Sequence, residues 1–468
     1  MSFEPRSLPI DPDAKAALAS KNLDYRLLDP GDVAALDAWI EADHRGFHHA
    51  RPREVGRDYD RRVMSERRVH GVYDDTIPEP GVPVATVSSW PAGLSVPGGR
   101  SVDGWAVSSV TVSPTHRRRG IARALMEAEL ATAERAGAAL AMLTATEATI
   151  YGRFGYAPAA RAATVEVERR RAHWIGPDAP GRVHFVEAAA LREQAAAISR
   201  RAVARTPGEI DRWSGALDRM LGLVDPESDA SRSLRALRYD DEHGQPQGFA
   251  TFRVTREPNQ PGWAEFDVLA AATDDAERAL WRVLVEQDFV TGVRGLLRSV
   301  DEPLEWLLED PRAVTVKDVT DHLWVRVVDA AAALGARRYA AAGELVLDID
   351  DPLGYAAGRY TLLASADGRA VVHSPRPDGQ ATDPAPKRER SRARASDGEP
   401  AGSRAVSRAA APRSIRLHVR DLASIYLGGV RPSVLARAGR ITEASPGALE
   451  LADRMFASTR TPHLSIWF

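Results

Sequence analysis

Cysteine is absent from the 468 residues. That excludes disulfides, thiolate metal centres and a cysteine nucleophile. Lysine is scarce: Lys15, Lys21, Lys317 and Lys387 are all there is, and none of them follows a glycine. A phosphate loop of the Gly-Lys-[Ser/Thr] kind is therefore excluded, and so is the Gly-x-Ser-x-Gly turn of serine hydrolases, which does not occur. No long uninterrupted apolar run appears, and the first residues, Met-Ser-Phe-Glu-Pro-Arg, begin no basic-then-apolar leader. A cytoplasmic protein with no membrane partner is expected. Net charge is −3, too small for a global field that gathers nucleic acid, and none is expected as a partner.

What is present is globular. Hydrophobic residues make up 44% and charged residues 27%, enough apolar surface to offset chain entropy, and the length suggests about three domains. The most informative stretch is 109–156. Val110-Thr111-Val112 reads as a β-branched strand, Ser113-Pro114-Thr115 breaks it, and Ile121, Leu125, Ala128 and Ala131 recur at helical spacing up to a C-capping Gly137. Between strand and helix lies Arg117-Arg118-Arg119-Gly120-Ile121-Ala122. Amides at a helix start have no intrahelical partner and carry partial positive charge, so this segment suits a pyrophosphate; taken alone, it is equally a solvated basic turn.

After a second apolar strand, 139–145, come Thr146-Glu147 and then Tyr151-Gly152-Arg153-Phe154-Gly155-Tyr156. The pairing of R-x-x-G-x-A with a downstream Y-x-x-x-G-[FY] resembles the cofactor motifs of the GNAT superfamily of acetyl-CoA-dependent N-acetyltransferases. The wording around both motifs is similar to the Eis (enhanced intracellular survival) family within it. The fold this implies is α/β (α+β): two tandem GNAT-like domains, 1–157 and 158–318, then a sterol-carrier-protein-like domain, 319–468.

Residues 23–30 suggest a first strand and 33–47 a helix whose end gathers Asp43, His44, His48 and His49. His44 and His48 have the i, i+4 spacing of a metal pair, but no third ligand is evident and no metal is expected. Residues 191–204 and 211–223 suggest helices, followed by strands at 234–239, 248–254 and 264–270 and a helix at 276–288. Where the first copy has Arg-Arg-Arg-Gly, this second one has Thr273-Asp274-Asp275-Ala276, whose carboxylates suit a helix N-terminus but repel a pyrophosphate, so it is expected not to bind coenzyme A. Later strands are expected at 322–328, 343–348, 359–364, 370–373 and 414–419, with Asp421 capping a helix from Leu422 and a last helix at 446–456. Residues 375–412 are rich in Pro, Ala, Ser, Arg, Asp and Gly with almost no large apolar residue, the composition of a solvated insertion.

The resemblance also implies chemistry. Val110, Thr111 and Val112 would offer strand-like groups to the pantetheine arm, residues Arg118, Arg119, Gly120, Ile121, Ala122 and Arg123 would hold the pyrophosphate, and Thr146 and Glu147 would add a second contact. Tyr151 stands at the family's general acid, and the α-carboxylate of Phe468 at its general base, within an apolar tail, Leu464-Ser465-Ile466-Trp467-Phe468. A phenol, with an ordinary pKa of about 10, holds its proton at neutral pH and can give it to a leaving thiolate. The family acetylates small-molecule amines (aminoglycosides, polyamines) and lysine side chains, and its members form homohexamers. Asp43 or Glu147 could attract a cationic amine. A different reading is a non-catalytic acyl-CoA sensor or lipid-binding adaptor; a third is an interaction protein working through the arginine-rich residues 387–413.

Overall fold

A computed structural model describes residues 5–256, 262–374 and 412–468. The expected insertion at 375–412 lies, but for its last residue, outside the described residues.

Twelve strands form one continuous sheet, and each half of it is built the same way. In the first half β1 (Asp24–Leu27), β2 (Arg68–Tyr73), β3 (Ala85–Val96) and β4 (Arg100–Val112) run antiparallel, and the helix Ile121–Arg135 crosses to a parallel β5 (Leu140–Thr144). β6 (Ala157–Glu168) then crosses into the second half, where β7 (Arg182–Val186), β8 (Arg235–Asp240), β9 (Pro246–Thr255) and β10 (Gly262–Ala271) repeat the antiparallel run. The helix Asp274–Val285 leads to a parallel β11 (Val290–Arg298). Finally β12 (Val314–Val327) returns and pairs with β5 on one side and β6 on the other. The halves thus exchange their sixth strands, so neither core closes without the other. The boundary read at 318/319 falls inside β12, a strand that completes the first half rather than opening the third region.

The third region is a five-stranded sheet in the order β15, β14, β13, β16, β17: β13 (Gly343–Asp350), β14 (Gly358–Ala364), β15 (Ala370–His373), β16 (Arg413–His418) and β17 (Ile441–Glu443). Its inner face joins the core under β3, β4 and β12, because Leu345, Leu347, Ile415 and Leu417 pack in one cluster with Leu94, Leu140 and Val325.

Several elements depart from the sequence reading. The helix expected at 211–223 starts later and is shorter: after a turn at Pro207-Gly208 the chain runs beside β3, Gly208 N–H reaching Ser95 O and Asp211 N–H reaching Gly93 O at 2.8 and 3.0 Å. Only Ala216–Met220 is helical there. Strand β2 and the helices Pro12–Ala19 and Glu54–Ser65 were not legible. The helix Val419–Tyr426 is capped by His418, whose ring accepts the Arg420 N–H at 3.1 Å; Asp421 is buried instead against Arg440, 2.5 Å away. No helix among the described residues is long and apolar enough to cross a membrane.

Candidate active site

The first half has a wedge at its centre. β4 and β5 pair only from Gly104 to Ala106 against Leu140 to Met142, then part, so among the described residues the outer edge of 107–112 has no strand partner. A bulge sharpens the parting: Ser109, at φ 57°, is an extra residue opposite β3, and Thr86 Oγ1 holds it through the Ser109 carbonyl at 2.7 Å. Val110, Thr111 and Val112 therefore present free backbone groups along the wedge, while Gly46 lets the helix Val33–Gly46 lie against Thr111, where a Cβ would come within 2.5 Å of its side chain.

Beyond the strand end the chain turns through left-handed Arg118 (φ 62°) and Gly120 (φ 77°) into the helix. No side chain caps that helix, and among the described residues the amides of 118–123 donate to no carbonyl and no side chain. Six successive N–H groups without an acceptor lie where the helix dipole is positive, the make-up of an anion cradle. The arginines divide. Arg118 and Arg123 are exposed, whereas Arg119 is turned back into the protein: its Nη1 lies 3.2 Å from Asp74, its Nη2 donates to Lys21 O at 2.8 Å, and Lys21 Nζ donates to Arg119 O at 2.6 Å. Asp74 also meets His116 Nε2 at 3.1 Å. Its hydrogen bonds to Thr76, then to His116, hold its carboxyl well below the usual range, so the clamp is ionic at neutral pH.

Tyr151 ends a single helical turn after β5 and is 6% exposed. Its ring lies 6.2 Å from those of Tyr156 and Trp324, and its hydroxyl has no hydrogen-bond partner among the described residues. Burial, then the Glu147 charge, push its pKa up to about 12. The glycine that follows in the motif has a physical reason: Gly155 sits at φ 86°, and a Cβ there would come within 2.4 Å of Arg326 Nε, which donates to Phe154 O at 2.7 Å while Nη2 grips both oxygens of Asp351 at 2.9 and 2.8 Å. Thr146 and Glu147 are exposed beside the wedge.

The tail reaches the same wedge. Thr144 Oγ1, at the end of β5, donates to the main-chain oxygen of Phe468 at 2.9 Å, and the Phe468 ring meets Trp90 edge-on at 5.7 Å. Upstream anchors run the length of the tail: His463 N–H to Pro207 O at 2.8 Å, Ser465 N–H to Glu209 at 3.1 Å, His322 to Ile466 O at 2.8 Å and Arg219 to Trp467 O at 2.8 Å. Asp43 faces Ser109 and Arg67, and burial raises its carboxyl to about 6. His44 spends both ring nitrogens, on Ala50 O and Asp60, each at 3.1 Å. Among the described residues no group of three or more metal-ligating side chains is assembled. Sequence reasoning missed Thr144, Arg67, Trp90, Trp213 and Arg219; nothing in their spacing marks them, because four separate segments bring them together.

The second half has the same wedge without the cradle. Thr273 caps the equivalent helix through the Ala276 N–H at 3.1 Å, and Asp274 is paired with both Arg205 and Arg460.

A family model described as an acetyltransferase (GNAT) domain matches residues 25–159, another of the same description matches 203–327, and a sterol carrier protein domain matches 330–465. An uncharacterized N-acetyltransferase of Streptomyces avermitilis is 32% identical over 434 residues, 91% of this chain and 94% of its own length. The N-acetyltransferase Eis of Mycobacterium tuberculosis is 32% identical over 374 residues, 78% of this chain and 81% of its own. The crystal structure of Eis1 from Mycobacterium abscessus superimposes with a TM-score of 0.75 at 28% identity, over 95% of this chain and all of that one.

Proposed function

Because the chain belongs to the Eis family of GNAT N-acetyltransferases, we propose that it moves the acetyl group of acetyl-CoA to a primary amine by direct attack, with Tyr151 as general acid and the Phe468 α-carboxylate as general base. The enzyme class is that of its relatives; the residue roles are this proposal. One set of observations supports it: the amides of 118–123 have no acceptor among the described residues, strand 110–112 runs on past the end of its pairing with β5, and Phe468 is hydrogen-bonded to Thr144 at the end of β5, seven residues before Tyr151. That arrangement supports the pyrophosphate on Arg118, Gly120, Ile121, Ala122 and Arg123, and the pantetheine arm along Val110, Thr111 and Val112. Arg119 acts from behind, as the strut that holds the loop.

The Phe468 carboxylate takes a proton from the incoming ammonium, directly or through water. The free amine then forms its bond to the thioester carbon as the carbon–sulfur bond breaks; the Tyr151 phenol, still protonated at neutral pH, gives its proton to the departing sulfur, and the nitrogen's second proton leaves through solvent to restore the phenol. No covalent enzyme intermediate is needed, since no cysteine exists. The acceptors carried over from the family are aminoglycoside-like, polyamine or lysine-type amines; assembly as a homohexamer and a cytoplasmic location are carried over in the same way. The second half, whose helix start is already capped and ion-paired, is read as a scaffold that does not take coenzyme A.

A thiol-release assay over an amine panel tests this on wild type, Tyr151→Phe and a variant with one residue added after Phe468. Both variants are expected to lose ~100-fold in kcat, the scale for a positioned acid or base. A fully active extended variant removes the terminal base from the scheme.

A further inference from the structure

The acceptor side of the wedge holds a charge that this chemistry leaves idle. Arg67 precedes β2 and is 6% exposed. Its guanidinium carbon lies 3.6 Å from the centroid of the Trp90 ring and 5.5 Å from that of Trp213. Trp90 is also the ring that Phe468 meets, so the guanidinium stands one side chain from the proposed base.

Among the described residues the Arg67 side chain makes no hydrogen bond and no ion pair, and its Nε is buried without a partner. Other deeply buried arginines of this molecule are satisfied: Arg326 grips Asp351, Arg298 grips Glu302 at 2.7 Å, and Arg337 donates to the carbonyls of Tyr426 and Phe456. An unpaired buried cation is costly and persists where a ligand completes it. A second guanidinium, Arg219, lies 4.8 Å from the Trp213 centroid; it spends Nη2 on Trp467 O and has no carboxylate partner either. The acids around them form no ion pair with either guanidinium: Asp60 is taken by His44, while Asp43, which faces Ser109 as well as Arg67, and Glu66 act on Arg67 only at longer range.

Two guanidiniums beside one indole ring and close enough to act on each other, with donors to spare, suit an anionic oxygen group. We propose that the preferred acceptor is an amine that also bears a carboxylate or phosphate, held by Arg67 and Arg219 over Trp90 and Trp213 so that its amino end points at Phe468. This rests on the N-acetyltransferase reading of the wedge and narrows it, since a purely cationic amine would meet two like charges here.

Thiol release is measured with 4-(aminomethyl)benzoate, the corresponding phosphonate and the neutral 4-(aminomethyl)benzamide, which share one nucleophile. Wild type is expected to favour at least one acid over the amide by ~30-fold in kcat/KM, chiefly through KM, the scale of a charge-assisted hydrogen bond. Arg67→Gln should erase the preference and Arg67→Lys should restore part of it. Equal kcat/KM for acids and amide in wild type, or a full preference surviving in Arg67→Gln, overturns the proposal. Should Arg67→Gln not fold, benzoate against benzamide as inhibitors of wild type gives the same reading: benzoate alone should compete with the amine, and equal inhibition overturns it. If no amine in any panel releases thiol, the transferase reading fails by itself, while benzoate protection against thermal unfolding still reports the anion site.

Discussion

Thr144 and Phe468, 324 positions apart in the chain, are joined by a hydrogen bond of 2.9 Å from the threonine hydroxyl to the main-chain oxygen of the phenylalanine. The contact links the end of β5, from which the Tyr151 turn departs, to the end of the tail. It is short-range machinery: a hydroxyl that fixes a carboxyl group without adding charge to it.

Thr144→Val keeps the shape and removes the donor. We expect kcat to fall ~10-fold, with KM for acetyl-CoA little changed and a thermal midpoint within a few degrees of wild type, because a single part-buried hydrogen bond is worth about 1 kcal/mol. Thr144→Ser should recover most of the rate. Steady-state thiol release beside a melting curve separates the two effects; an equal loss in Thr144→Ser and Thr144→Val would mean the methyl group, not the hydroxyl, matters.

The Asp74 clamp predicts the opposite kinetic signature. Asp74 ties Arg119 and His116 together behind the loop whose amides face outward. With Asp74→Ala, Arg119 is released and the left-handed turn through Arg118 and Gly120 loses its strut, so KM for acetyl-CoA should rise ~10-fold while kcat at saturation stays close to wild type. Titrating coenzyme A by calorimetry gives the same answer without turnover.

Much of the wedge could be read before any coordinates because its parts are contiguous: strand, break, arginine turn, helix and tyrosine all fall within 109–156, and each obeys local rules of turn and helix start. The tandem halves were legible for the same reason. What escaped was long-range. Nothing local announces that β12 swaps into the first half, that 207–211 is captured by β3, or that Arg67, Trp90, Trp213 and Arg219 meet around Phe468. The Arg119–Asp74 pair was hidden for a related cause: nothing in the arginine turn itself points to Asp74, on another strand end, as its partner.

Gly155→Ala should be severe although the added group is one methyl. The residue sits at φ 86°, and its Cβ would come within 2.4 Å of Nε and 2.8 Å of Cδ of Arg326, a side chain that is itself fully buried and locked on Asp351 and Phe154 O. Backbone strain of about 1–2 kcal/mol adds to the cost of displacing a buried ion pair, about 3 kcal/mol, so the midpoint should drop by several degrees and activity with it. Gly137→Ala is the control: it shares the left-handed φ, 71°, but nothing lies within 4 Å, and only the strain should appear.

His322 makes tail docking sensitive to acid. The ring is fully buried, lies 4.5 Å from that of Trp467 in edge contact and bonds Ile466 O at 2.8 Å, and burial depresses its pKa from 6.5 to about 4. A histidine whose folded pKa is lowered binds more protons when unfolded, so its contribution is complete above pH 6.5 and declines as pH falls towards 4. The change amounts to about 3 kcal/mol over that window. Local release of the tail should therefore precede global unfolding, and carboxypeptidase should remove Phe468 faster at pH 5 than at pH 7.5, in step with loss of activity. His322→Gln, which still offers a donor but does not titrate, should flatten that dependence; an unchanged acid profile in the folded variant would assign the sensitivity to another group.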